Sequence, residues 1–495
     1  MRKVIDAQMM FGQTDISAIR LNPKSRDDIP QILRGLQYIF IEPEVRKKVF
    51  AILEEVRPVR SNGDSVNPDT GRPGMAQWTI LVLGALRLAL NVDYDRILEL
   101  ADEHLTLRQM LGHSEWDRTQ YSLQSLKDNL RLLTPEILDR INQEVVSAGH
   151  RIQKKSPDEE LHARCDSFVV KTDVHFPTDI NLLFDAIRKL IETCAEQTEA
   201  QGWTEWRQSE HQIRRFKQSY RKAQKLKNST SNDEEKKKAR IEAIQDAHCA
   251  YMKRAEGYME QARETRAKLA PLALDPFSGV DLATIDLYLN HAVRQIDQIR
   301  RRVMEDEVIP PSEKVYSLFQ PHTKWIMKGK AGVPFELGLM VCIMEDHLGF
   351  VLHHQVMEKQ TDDQVAVSMV QETQERFEHV TKVSFDKGFH SPSNQTQLKE
   401  CLDLLVLPKK GRLSAEERAH ETDPEFVRLR HAHSAVESAI NALEVHGLDK
   451  CPDDGIHGFK RYVALAVVAR NIQRLGAVLR QNEAAARRGP YKKAA

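Results

Sequence analysis

The spacing of apolar positions changes character along the chain. Up to about residue 150 it is helical. "IEPEVRKKVFAILEEV" carries apolar residues at 45, 50, 52 and 53 behind an N-terminal acid cluster. "DYDRILELADEHLTLRQMLG" is amphipathic and ends at a glycine, a common helix stop. Between them "SNGDSVNPDTGRPG" is rich in turn residues and reads as a loop. The most apolar run, "WTILVLGALRLAL", is broken by Arg87 and is too short to span a bilayer, so it reads as a buried helix. Residues 93–135 could hold a helix-turn-helix, but the pattern is loose and favours a plain small helical bundle.

From 164 to 176 the pattern is extended, with Phe168, Val169 and Val170 as strand formers. "FPTD" turns the chain, and Thr178 or Asp179 caps a helix through "INLLFDAIRKLIETCAEQ". Residues 195 to 305 are helical and highly charged, with one clear break at "NSTSND". This predicts an antiparallel helical hairpin with arms of about 50 Å at 1.5 Å per residue. Its tip is basic: Lys217, Arg221, Lys222, Lys225 and Lys227 on one arm, Lys236, Lys237, Lys238 and Arg240 on the other. Such a tip would suit DNA or a second subunit, or would simply be solvated.

After 314 the period shortens. "KVYSLF", "FELGLMVCIMED" and "GFVLHHQVME" read as strands, with "DHLG" as a hairpin turn. A capped helix follows in "TDDQVAVSMVQETQERF". Then come a strand ("TKVSFD"), a helix ("SPSNQTQLKECL"), a strand ("DLLVLPKK") and a helix ("SAVESAINALEV"). The order β-insert-β-β-α-β-α-β-α is that of a ribonuclease-H-like α/β domain. It implies a mixed five-stranded sheet, three strands antiparallel and the rest added in parallel through helical crossovers. The layout expected is an all-α domain over 1–150, the first strand and helix of the α/β domain over 160–190, the helical-hairpin insertion over 191–310, the rest of the α/β domain over 311–478, and a basic disordered tail over 479–495.

Lys+Arg and Asp+Glu both number 72, so net charge is zero, which disfavours a nucleic-acid binder unless the charges are segregated. Six scattered cysteines without metal-finger spacing suit reduced thiols in a cytoplasmic protein. The N-terminal residues contain no signal-peptide core.

The candidate chemistry lies in acids. In an open α/β sheet, sites gather where strand ends meet helices. Asp166 opens the first strand, Asp386 ends the fourth, and Glu437 lies in the last of the helices just described. The first and fourth strands are neighbours in this order. Three converging carboxylates repel one another unless a divalent cation neutralises them, and hard oxygen donors suit Mg²⁺ or Mn²⁺. Two such ions can clamp an in-line phosphoryl displacement. Of the other acids near the first strand, Asp173 is the runner-up ligand if a bulge reverses its face. Asp179 reads as a turn or cap residue and Asp185 as a helix-surface acid. His175 and His322 read as supporting or structural residues.

Four blocks resemble those of bacterial insertion-sequence DDE transposases: "DSFVVKTDVHFPTDINLLFDAIR", "YSLFQPHTKWIMKGKAGVPFELG", "DKGFHSPSN" and "SAVESAINALEVHGLDKC". Together with the helical N-terminal region and the charged insert, they look most like the ISNCY group, and the likeness covers essentially the whole chain. The resemblance implies a metal-binding catalytic triad of Asp166, Asp386 and Glu437, served by two Mg²⁺ or Mn²⁺ ions. It implies hydrolysis of a phosphodiester at each element end, then attack of the freed 3′-hydroxyl on target DNA. It implies terminal repeats and target DNA as partners, a homodimer or multimer, and a bacterial cytoplasmic, nucleoid-associated setting. Relatives carry Tyr, Arg and Lys at −7, −4 and +7 from the Glu, where this chain has Arg430, His433 and Glu444. Arg428, Arg430 or Lys450 could replace the missing lysine in contacting DNA. Lys328 and Lys330 are further DNA-contact candidates, and Glu444 is a fallback metal ligand. The alternatives are a DNA-binding or coiled-coil scaffold with the fold but no catalysis, and a structure-specific nuclease without strand transfer.

Overall fold

The computed structural model describes residues 3–6, 8–58, 74–154, 156, 158–274, 279–327 and 334–488. Lys328 and Lys330 lie outside the described residues. The chain divides into two compact units, Met1–Asp173 with Ile326–Ala495, and Val174–Trp325. The insertion is thus bounded at 173/174 and 325/326, wider than the 191–310 read from the charge pattern.

In the first unit, the helices before the sheet are α1 (Ile29–Ile41), α2 (Pro43–Leu53), α3 (Gln77–Ala89), α4 (Tyr94–Glu103), α5 (Leu105–Met110), α6 (Leu123–Leu130) and α7 (Pro135–Gln153). Asp93, Ser122 and Thr134 cap α4, α6 and α7 with side-chain oxygens, which starts each helix where the sequence has its cap residue. Every residue of α3 is buried, as its apolar run requires.

The strands are β1 (Leu161–Thr172), β2 (Lys324–Met327), β3 (Phe335–Asp346), β4 (Val351–Met357), β5 (Val380–Phe385), β6 (Leu404–Val406) and β7 (Lys450–Cys451). They form one mixed seven-stranded sheet in the order β2-β3-β1-β5-β6, with β4 also on β3 and β7 on β1. β3 runs antiparallel to β1 and to β4. β5 is parallel to β1, and β6 to β5. The mixed α/β architecture expected from the sequence is present. Two details differ: "KVYSLF" is not a strand, and the two-residue β7 is too short to leave a periodic signal. The turn after β3 is tied by Asp346, whose Oδ1 accepts the N–H groups of Leu348 (3.0 Å) and Phe350 (2.9 Å). Gly349 supplies the positive φ of +83° that this turn needs.

α12 (Asp362–Arg376), α13 (Pro392–Cys401), α14 (Ala415–Glu421), α15 (Pro424–His433), α16 (Ala435–Leu443) and α17 (Gly455–Arg488) complete the unit. α17 is long and apolar enough to cross a membrane by length and composition, but 78% of its apolar window is buried inside the protein. It packs on α1, α3 and α7. Gly35 of α1 and Gly476 of α17 face each other so closely that a methyl on either would overlap the partner's backbone carbonyl. Asn471 of α17 donates to Asn142 Oδ1 of α7 (2.7 Å) and to the Val351 carbonyl (2.8 Å), and accepts the Val351 N–H (3.0 Å). These contacts put the N-terminal helices, the sheet and α17 in one continuous core. The separate all-α domain over 1–150 is not what the structure shows. Residues 479–488, expected as disordered tail, are the last turns of α17.

The second unit holds α8 (Asp179–Ala200), α9 (Ser209–Lys225), α10 (Glu234–Leu269) and α11 (Leu282–Met304) around its own core. α10 is 36 residues long, about 54 Å. α9 is less than half that, because the chain breaks around Gly202, which has a φ of +73°. The two-armed hairpin expected from the sequence is therefore one part of a four-helix unit. Phe184, Phe216 and Tyr251 stack through its centre at 5.8 and 4.8 Å. Asp185 is not a surface acid: it is buried and binds His175 Nε2 at 2.6 Å, which raises the His175 pKa. Asp179 follows the cap residue Thr178 in the first turn of α8 and pairs with Arg302 at 2.7 Å.

Candidate active site

β1 and β5 run in parallel with Cys165 opposite Phe385, and Arg164 opposite Ser384. The next step along both chains sets Asp166 beside Asp386, whose backbone is still extended (φ −75°, ψ 162°). Neighbouring strands are about 4.8 Å apart, and residues two apart share a face. Asp166 and Asp386 therefore stand side by side on the face opposite the buried Cys165 and Phe385.

α16 packs on β1 and supplies the third acid. Val436, Ala439 and Leu443 bury one stripe of this helix, which leaves Glu437 exposed in its first turn. A fourth acid was not foreseen. Asp362 opens α12 and accepts a hydrogen bond from Ser167 Oγ at 2.7 Å. Its Oδ2 lies where a Cβ on Gly388 would come within 2.9 Å, so the glycine after Asp386 leaves room for this carboxylate. An acid in the first turn of a helix is ordinary helix chemistry, so nothing in the pattern singles it out.

The four acids share one electrostatic environment. Burial, then the charges of Asp386, Asp362 and Glu437, push the Asp166 carboxyl up to about 6, against a hydrogen bond from the Ser167 N–H that lowers it. Among the described residues, no Lys, Arg or His lies within ion-pair distance of any of the four. The donors are hard oxygens in mutual repulsion, the chemistry that a divalent cation relieves. As the side chains stand, however, no three described His, Cys, Asp or Glu residues are grouped to hold a metal ion. Asp386 and Glu437 are exposed, and neither side chain has a hydrogen-bond partner among the described residues, so both can rotate without losing one. The residues fit a cation by donor type and need that rotation to close on it.

His433, at the −4 position from Glu437, sits against this group. Its Nδ1 shares a hydrogen bond with Ser384 Oγ at 3.0 Å, and its Nε2 is buried without a hydrogen-bond partner. Burial lowers its pKa, while Asp386 and Glu437 pull the other way. Lys410 Nζ donates to the Gly388 carbonyl at 2.8 Å on the turn after Asp386.

The remaining candidates separate. Asp173 lies beyond the end of β1 and pairs with Lys450 at 2.5 Å, which occupies both the runner-up ligand and one proposed DNA contact. Glu444 does not join the acids: its backbone is still helical, but it lies two turns beyond Glu437, about 10 Å along the axis, and acts on Lys171 toward the far end of β1; the chain leaves helical geometry after it, at His446 and Gly447. Arg430 is 4.0 Å from Glu421. Arg428 lies on α15 and borders a cleft next to the acid pair. No family model, no curated protein and no solved structure matches this chain.

Proposed function

We propose that this chain is a DDE-type DNA transposase built on a ribonuclease-H-like sheet, and that it uses Mg²⁺ or Mn²⁺ held by Asp166, Asp386 and Glu437. The observation that carries the reading is the acid pair in register on one face of the neighbouring parallel strands β1 and β5, with Glu437 brought over by α16. The strand order, antiparallel across β4, β3 and β1 and then parallel through β5 and β6, supports the fold assignment. The four sequence blocks that resemble insertion-sequence transposases support the choice of DNA as substrate and of the ISNCY group as the nearest likeness.

A divalent cation at these carboxylates supplies charge neutralisation on the phosphate and activates water near neutral pH. The chain's own contribution is placement. β1 fixes Asp166, the turn after β5 fixes Asp386, and Asp362 adds negative charge that strengthens cation binding. Hydrolysis at an element end leaves a 3′-hydroxyl, and that hydroxyl attacks a target phosphorus, forming the new P–O bond as the target's own 3′-oxygen leaves. Neither displacement needs a covalent bond to the protein. The chain would act in the bacterial cytoplasm as a homodimer or multimer on paired element ends.

A non-catalytic DNA-binding or coiled-coil scaffold with the same fold is the second reading, favoured because no three-ligand group stands ready-made among the described residues. Purified protein, labelled element ends, target plasmid and Mg²⁺ decide between them. Joined products support transposition, and cleavage without joining supports a nuclease. DNA binding with no cleavage, unchanged in Asp386→Asn, leaves the scaffold reading.

A further inference from the structure

Beside the acid pair lies a cleft of about 210 Å³, lined by residues of β1, β5 and α15 and by His347 in the turn after β3. Its construction follows from the same register that places the acids. His162 is opposite Lys382 and Arg164 is opposite Ser384, so these rows share the face of Asp166 and Asp386, two and four residues back along the strands. One row is about 7 Å from the next at two residues of strand. The face therefore changes sign over a short distance: carboxylates in one row, then Arg164, then His162 and Lys382, with Arg428 reaching in from α15.

Among the described residues, no acid lines the cleft. The carboxylates that balance its cations come from outside the lining. Arg164 is held by the buried Glu345 at 3.1 Å. Lys382 is 3.4 Å from Glu160 and 3.7 Å from Glu425, and Arg428 is 3.5 Å from Glu425. Glu160 and Glu425 are half-exposed, and such pairs are worth little, so Lys382 and Arg428 can exchange them for a phosphate at small cost. His347 Nδ1 accepts the His162 N–H at 3.3 Å, so a neutral His347 carries its proton on Nε2, as a donor. Burial and the charges of His347, Lys382 and Arg428 lower the His162 pKa, which fits a positive local field.

We infer that this cleft is a phosphate subsite, which holds a backbone phosphate of the DNA strand whose neighbouring phosphate lies at the carboxylates. The inference rests on the reading of the acids as a phosphodiester site and adds where the flanking strand runs: from the acids toward the N-terminal end of β1, under α15. Arg164 and Lys382 hold the phosphate from the sheet, and Arg428 closes on it from the helix.

The test is binding of a labelled 30-base-pair duplex in metal-free buffer with EDTA, across a salt series, by wild-type protein and by Lys382→Gln/Arg428→Gln. The substitutions remove two charges together with their weak ion pairs to Glu160 and Glu425, and circular dichroism with a melting curve checks folding. The double variant should bind about threefold to tenfold more weakly, with a salt slope shallower by about one. Lys382→Arg should keep the wild-type slope. A folded double variant with wild-type affinity and slope overturns the subsite, whether or not the wild type cleaves DNA. Wild type that binds the duplex without salt dependence, or not at all, overturns it too. A second arm titrates orthophosphate: displacement from wild type but not from the variant, with duplex binding equal in both, makes the cleft a free-phosphate site and overturns the DNA assignment. A shallower slope in the variant sustains the subsite even if Mg²⁺ yields no cleavage, in which case only the transposase reading fails.

Discussion

At the residue scale, Asp166 links the electrostatics to a measurable stability. An aspartate ionises near 3.8 when unperturbed, and here burial and the facing acids raise the value to about 6. Between these values the native state holds a proton that the unfolded chain has released. Stability therefore falls as pH rises from about 4 to about 6, by at most about 3 kcal/mol for a shift of about two units. In EDTA, Asp166→Asn should melt at or above the wild-type temperature at pH 7.5 and converge with it near pH 4. A lower melting temperature for the variant at pH 7.5 would mean that the carboxylate serves as a structural anchor. The same variant should lose Mg²⁺-dependent cleavage while keeping DNA binding. At this scale the sequence was informative where topology constrained the residue and silent where it did not. Asp166, Asp386 and Glu437 could be named as candidates because strand order brings their elements together. Asp362 was missed because only the hydrogen bond from Ser167 and the space over Gly388 mark it, and both are contacts between distant segments.

At the scale of elements, two glycines decide how closely helices approach. Gly35 and Gly476 bring the backbones of α1 and α17 into contact, and a side chain there would force the helices apart. Gly476→Ala should destabilise the protein by about 1–3 kcal/mol or more, read as a lower melting temperature, despite alanine's better helix propensity. A melting temperature equal to or above wild type would show that the helices can separate freely. Gly338 of β3 has the same character beside the Val170 carbonyl of β1, and this gives a physical reason for the glycine in the "FELG" block. Most long elements were legible from period and caps, as with α3, α12, β3 and β5. The short β7 and the end of α16 were not. The chain leaves helical geometry at His446 and Gly447, where Gly447 has a φ of +101°; Glu444 is still helical but lies seven residues, about 10 Å along the axis, from Glu437, on the side of Lys171.

At the scale of the whole molecule, the division into two units follows from two separate cores, one of which spans the sheet and the helices on both sides of it in sequence. Charge pattern found the insertion but not its limits, because α8 is apolar on one face and so reads like a sheet-covering helix. Its Leu183, Ile187, Leu190 and Ile191 instead pack with α10 and α11. Residues 174–325 expressed alone should fold, giving a helical spectrum and a cooperative melt. A featureless melt would mean that this core needs the rest of the chain.

The position of the insertion also sets a schedule. β1 leaves the ribosome carrying Asp166, but its partner Asp386 and the helix with Glu437 follow only after the whole of the second unit has been made. At about 5–20 residues per second, β1 waits some 10–40 s for β5. A chain cut short anywhere in that interval lacks Asp386 and Glu437 and has no site. If the acids do cut DNA, the insertion acts as a delay that keeps unfinished chains harmless to the genome that encodes them.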